Sequence, residues 1–140
     1  MPDLNPWASL ISQYLKPNGR FIIAEFHPVV SMFNETFSCI EQSYFNHNVI
    51  LCQDQGTYAD RNAPICNPSV EWNHSLSEIL QVLIDHHLQI NVLQEFNYSP
   101  YDCFLNSVKT NDGFYQIKGL ENKIPMIFAI KTIKHSTCTD

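Results

Sequence analysis

Apolar residues at positions 4, 7, 8, 11, 14 and 15 recur at helical spacing and predict a helix from about Asn5 to Leu15. Asn5 can cap it, Pro6 suits its first turn, and Pro17 with Gly19 ends it. The next pattern is different: Phe21 to Ala24 is an unbroken apolar run, which suits a strand covered on both faces. A second helix is announced by Ser75 and Glu78, spaced as a capping box, with Leu76, Ile79, Leu80, Leu83, Ile84 and His87 on one face. It ends near His86 and His87. Leu88, Ile90, Val92 and Phe96 predict a strand that breaks at Asn97 to Pro100, and a short strand follows around Phe114 to Ile117. Ile124 to Ile133 is the last long strand, and the tail from His135 frays.

Between Pro28 and about Val70 lies a long connection, residues 29–70, with short strands expected near Ile40–Asn46 and Val49–Asp54. A connection of that length inside a compact domain is usually a lid or binding segment. Its aromatic residues Phe33, Phe37, Tyr44, Phe45 and Tyr58 either line a pocket or form a small satellite core. Helix, buried strand, insertion, helix, strand and final strand make an α/β order in a single domain spanning 1–140. The stripe on the first helix needs a sheet to cover, and no strand precedes it in the sequence.

Ligands in open α/β sheets bind beyond the carboxyl ends of strands, so Glu25 and His27, at the end of the first strand, are the leading site candidates. An imidazole with an ordinary pKa near ~6.5 can move protons at neutral pH. His27 is read as a base or acceptor-binding group, or as a hydrogen-bonded residue that fixes the Pro28 turn. Glu25 either reaches a ligand, holds His27 in one tautomer, or is a plain strand-end charge. Trp72 and His74 stand just before the second helix, whose N-terminus favours anionic or carbonyl groups.

Composition narrows the classes. A formal charge of −6 with only eight Lys and Arg argues against a nucleic-acid partner. Five cysteines without a C-x-x-C spacing favour reduced thiols in the cytoplasm. No apolar run reaches the ~18 residues that would span a membrane. His27, Cys39, Cys66 and His74 are zinc-type ligands, but they lack the close pairs of structural zinc sites, so no metal is expected. No G-x-S-x-G elbow supports a hydrolase.

Leu15 to Pro28, LKPNGRFIIAEFHP, resembles the segment leading through the fifth strand of class I S-adenosylmethionine-dependent methyltransferases, in a bacterial small-molecule branch that continues E-x-H-P. Further pieces follow in the same order: Asp3-Leu4 with Trp7, Gly56 to Asp60, Glu71 to Ile79, Gln94-Glu95-Phe96, and Ile124 to Lys131. They match the second half of such an enzyme. The first half, with the G-x-G-x-G loop that holds the cofactor, has no counterpart among these residues, whose four glycines include no G-x-G pair.

The resemblance implies the C-terminal half of a doubly wound, Rossmann-like methyltransferase sheet with a β-rich insertion, in which the last strand turns antiparallel and slots between the two before it. It implies methyl transfer from S-adenosylmethionine to a small-molecule acceptor, with Asp3, Leu4 and Trp7 near the donor. Tyr58, Trp72 and His74 fall on the acceptor side. Alone, the 140 residues are expected to bind S-adenosylmethionine weakly or not at all. The other reading is a truncated, non-catalytic remnant or interaction module that pairs with a separate N-terminal half or with itself, since an unpaired strand edge and an uncovered helix stripe favour association. Where the family places a glycine before the leucine that opens the next strand, this chain has His87, at some loss of helix C-cap stability.

Overall fold

The computed structural model describes residues 1–45, 48–57 and 62–135. Its centre is a three-stranded sheet in which β7 (Ile127–Lys134) lies between β1 (Arg20–Phe26) and β4 (Leu88–Phe96). β7 runs antiparallel to both neighbours, which makes β1 and β4 parallel to each other. That is the order the resemblance implies. An irregularity between Ile90 and Val92 inserts Asn91 as an extra residue in β4 and shifts the alternation beyond it.

Two helices cover one face of this sheet. Ala8 of α1 (Asn5–Tyr14) and Val82 and Leu83 of α2 (Leu76–Asp85) are buried with Leu88, Phe128 and Ile130, and Phe21, Ile23 and Ile90 pack against them. Ile84 and Tyr14, placed on the buried stripes by the sequence pattern, are instead exposed at 52% and 85%. Thr132 lies in the same buried layer between Phe21 and Ile90, its hydroxyl without a hydrogen-bond partner.

The opposite face corrects the reading of Phe21 to Ala24 as covered on both sides. Only Phe21 and Ile23 face the helices, while Ile22 is 67% exposed and Ala24 is also exposed. Both helices sit on the same side among the described residues, so Ile22 and Ala24 have no helix over them, while Phe26, next in the same alternation, packs edge-on with Phe104 and Tyr101 at the strand end. Among the described residues no strand pairs its outer edge, since β1 ends the sheet.

Local chemistry sets the joints. Asn5 starts α1 as its first residue rather than its cap, and the Asp3 carboxylate accepts from the Asn5 backbone N–H at 2.8 Å. At the other end, the Lys134 ammonium donates to the Leu15 carbonyl at 3.0 Å and also to that of Ser12, a cation at a helix C-terminus. The turn into β1 places Asn18 at φ 61°, and a Cβ on Gly19 would lie 2.7 Å from the Lys16 carbonyl oxygen, so the close approach requires glycine there. In α2 the capping box is complete: Ser75 Oγ accepts from the Glu78 N–H at 3.3 Å and Glu78 accepts from the Ser75 N–H at 2.8 Å.

The long connection contributes a short 3₁₀ turn (Val30–Met32) and a hairpin of β2 (Ile50–Gln55) and β3 (Cys66–Glu71). The strand expected at Ile40–Asn46 is reduced to one bridge between Ile40 and Phe33, and Asn46 lies outside the described residues. β5 (Ser107–Lys109) and β6 (Tyr115–Ile117) form a second hairpin. Val30, Ile117 and Met126, with Phe37, Phe104, Leu120 and Ile124, build a second small core beyond the sheet end.

Candidate functional site

The carboxyl ends of β1 and β4, parallel strands, lie at one end of the sheet, and His27 stands there just past β1. It is 4% exposed. Its backbone N–H donates to Met126 O at 2.9 Å and its carbonyl accepts from Val30 N–H at 2.9 Å, which locks the turn through Pro28. Nδ1 accepts from the Val29 N–H at 3.2 Å, so the ring proton of the neutral imidazole resides on Nε2. Nε2 lies 2.8 Å from Glu95 Oε1, yet the N–H is not aligned on it. The contact is a close polar approach rather than a directed hydrogen bond. Burial pushes the His27 pKa below its ordinary 6.5, and the Glu95 carboxylate opposes that shift without cancelling it.

The carboxylate beside His27 is therefore that of Glu95; Glu25, exposed, turns back on its own strand, Oε1 accepting from Phe26 N–H at 3.1 Å. Glu95 was not singled out as a site residue in the sequence. Its signals in the sequence are its place near the end of an expected strand and its inclusion in the resembling piece Gln94-Glu95-Phe96, and the pairing order that sets it opposite His27 lies outside periodicity.

The N-terminus of α2 closes on the same end. Asn73, buried, donates from Nδ2 to the Pro28 carbonyl at 3.2 Å. His74 Nε2 is 2.8 Å from the Met1 carbonyl, and Nδ1 is 3.8 Å from Glu78 Oε2. Asp3 belongs to this patch: hydrogen bonds from Asn5 hold its carboxyl below the usual range, with a smaller pull from His74. Three N–H groups at this helix start are already served, those of Ser75 and Glu78 by the capping box and that of Leu76 by the Tyr44 hydroxyl at 3.1 Å. Leu4 and Trp7 pack on the main core, Trp7 edge-on to Phe21 at 5.8 Å. Trp72 is half-buried, and Tyr58 lies outside the described residues.

Beside this end opens a cleft of about 1010 Å³ between the 30–37 segment, the β2–β3 hairpin and residues 103–105. Its described lining includes neither Glu25, His27, Trp72 nor His74. Phe33 and Phe37 do line it, and Phe37 also packs on the second core, so both the pocket and the satellite-core readings apply to Phe37, while Phe45 is exposed. Among the described residues no group of three or more His, Cys, Asp or Glu could hold a metal ion. No helix there is long and apolar enough to cross a membrane.

No protein-family model and no curated protein matches the sequence. Among solved structures the chain is similar to a crystal structure of a proposed S-adenosylmethionine-dependent methyltransferase from Listeria monocytogenes, with a TM-score of 0.62 and 17% identity. The match covers 97% of this chain and 56% of that one. At such identity the likeness establishes a shared α/β fold. The chain spans little more than half the length of that neighbour.

Proposed function

We propose that this chain forms the acceptor side of an S-adenosylmethionine-dependent methyltransferase acting on a small molecule, and corresponds to the C-terminal half of its doubly wound sheet. The observation that carries the reading is the fold likeness over 97% of the chain to a proposed enzyme of that class. Order β1-β7-β4 with an antiparallel centre supports it.

In-line transfer from a sulfonium requires an aligned acceptor, exclusion of water and, for a protonated nucleophile, a base. Asp3, with Leu4 and Trp7 behind it, fronts the donor; Tyr58, Trp72 and His74 belong to the acceptor side. Glu25, the exposed carboxylate at the strand end, takes the acceptor proton. His27, whose Nδ1 accepts from the Val29 N–H, fixes the turn beside it. The glycine loop for the donor comes from a second segment, on this or another polypeptide.

A second reading rests on a separate observation, the unpaired β1 edge and the exposed Ile22 beside it. On that reading the chain is an interaction module whose sheet is completed by a partner, without catalysis of its own.

The test is transfer of a labelled methyl group from S-adenosylmethionine into a small-molecule extract, by this chain joined to the segment encoded upstream of it. Labelled product that falls by about 10²-fold in Glu25→Gln supports the reading. Absence of labelled product from a folded, donor-binding protein sinks it in favour of the interaction module.

A further inference from the structure

The cleft beside the sheet end has one-sided chemistry. Four phenyl rings form a continuous wall: Phe33 stacks on Phe37 at 5.4 Å, Phe37 meets Phe104 edge-on at 5.3 Å, and Phe104 meets Phe26 at 5.2 Å. Facing them, the β2–β3 hairpin supplies Gln53, Asn67 and Ser69, polar groups without charge. Glu35 is the single charged side chain among the described lining residues; Lys, Arg and His are absent from them.

These features select by charge. A carboxylate or phosphate drawn into the cleft would lose hydration without meeting a cation among the described residues, and would face Glu35 in a chain of formal charge −6. A positive group gains twice, from the negative faces of the rings and from the Glu35 carboxylate. The volume admits a ligand larger than one ring, within the range of small-molecule sites.

We infer that the cleft binds a small organic cation carried on a planar aromatic body, an arylalkyl amine in chemical class. The inference concerns binding alone and needs only the cleft, whose described lining is separate from Glu25, Trp72 and His74. Glu35 pairs with the ammonium and the Phe26–Phe104 corner receives the ring.

Calorimetry on the 140-residue chain with tryptamine and indole-3-propionate, similar in ring and length and opposite in charge, tests it at neutral pH. The expected result is tryptamine binding at least about tenfold tighter than the anion. Glu35→Gln, at an exposed position that leaves the fold intact, should narrow that ratio to about twofold. Phe104→Leu should weaken tryptamine by about threefold or more while keeping the sign of the preference. Equal or tighter binding of the anion, no heat from tryptamine at millimolar concentration, or a ratio unmoved by Glu35→Gln overturns the assignment. Because S-adenosylmethionine is absent from this experiment, its outcome is independent of the labelled-methyl assay, and either inference can fail alone.

Discussion

His27 and Glu95 meet across the central strand: the imidazole just past β1 brings Nε2 to 2.8 Å from a carboxylate near the end of β4, with β7 between them. The buried ring stands edge-on to Phe128, the β7 residue whose register partners are Glu25 and Glu95. Replacing His27 by Ala removes this contact and leaves the Val29 N–H without its acceptor, which should cost about 1–3 kcal/mol in urea unfolding. The pH dependence has a defined sign. Burial lowers the folded pKa below the unfolded 6.5, so the unfolded chain takes up the proton first. Stability from this group is fully present above 6.5 and declines as pH falls through the window beneath it. His27→Gln should flatten that part of the profile. An unchanged slope below pH 6.5 in the variant would reject the assignment.

Thr132 is fully buried with a hydroxyl that bonds to nothing, between Phe21 and Ile90 in the helix-covered layer. Valine has nearly the same shape without the polar atom. Thr132→Val should raise stability by about 1 kcal/mol, read as a higher urea midpoint at constant slope. A lower midpoint would mean that the hydroxyl has a partner in solution.

His87 ends α2 at φ 62°, the left-handed conformation in which glycine is free of the Cβ penalty. The side chain is exposed, so little packing is lost on its removal. His87→Gly should stabilise the chain by about 0.5–1 kcal/mol, whereas the same change at His86, with φ −94°, should not. Thermal unfolding of the two variants side by side distinguishes them.

Ile22 presents a large apolar side chain on the uncovered face of an edge strand. The isolated chain should therefore self-associate, and Ile22→Lys should shift size-exclusion elution toward monomer, because a charge on an edge strand blocks strand-to-strand pairing. A monomeric parent that unfolds cooperatively would remove the case for an incomplete sheet.

What the sequence disclosed depended on whether the signal was local. The α2 capping box is written in Ser75 and Glu78, four residues of chain, and both reciprocal bonds form. β4 and β7 are legible from apolar runs of which Leu88, Ile90, Phe128 and Ile130 pack with the helices, although Val92 and Leu93 are exposed. β1 misled, since Phe21 to Ala24 is apolar at every position while only alternate positions meet the helices. β3 was missed: Cys66 to Glu71 contains Pro68 and few apolar residues, and it is a strand because β2 pairs with it. At the site, strand-end logic reached His27, but Glu95, Asn73 and the Phe26–Phe104 corner depend on contacts between distant segments. The β1-β7-β4 order came from family resemblance, since strand order leaves no trace in periodicity.

The most direct test of the methyltransferase account is calorimetry with S-adenosylmethionine on two samples, the 140 residues alone and the same residues joined to the segment encoded upstream. The account predicts micromolar binding by the joined protein and weak or no binding by the 140 residues. Micromolar binding by the 140 residues alone, or none by a folded joined protein, would contradict it.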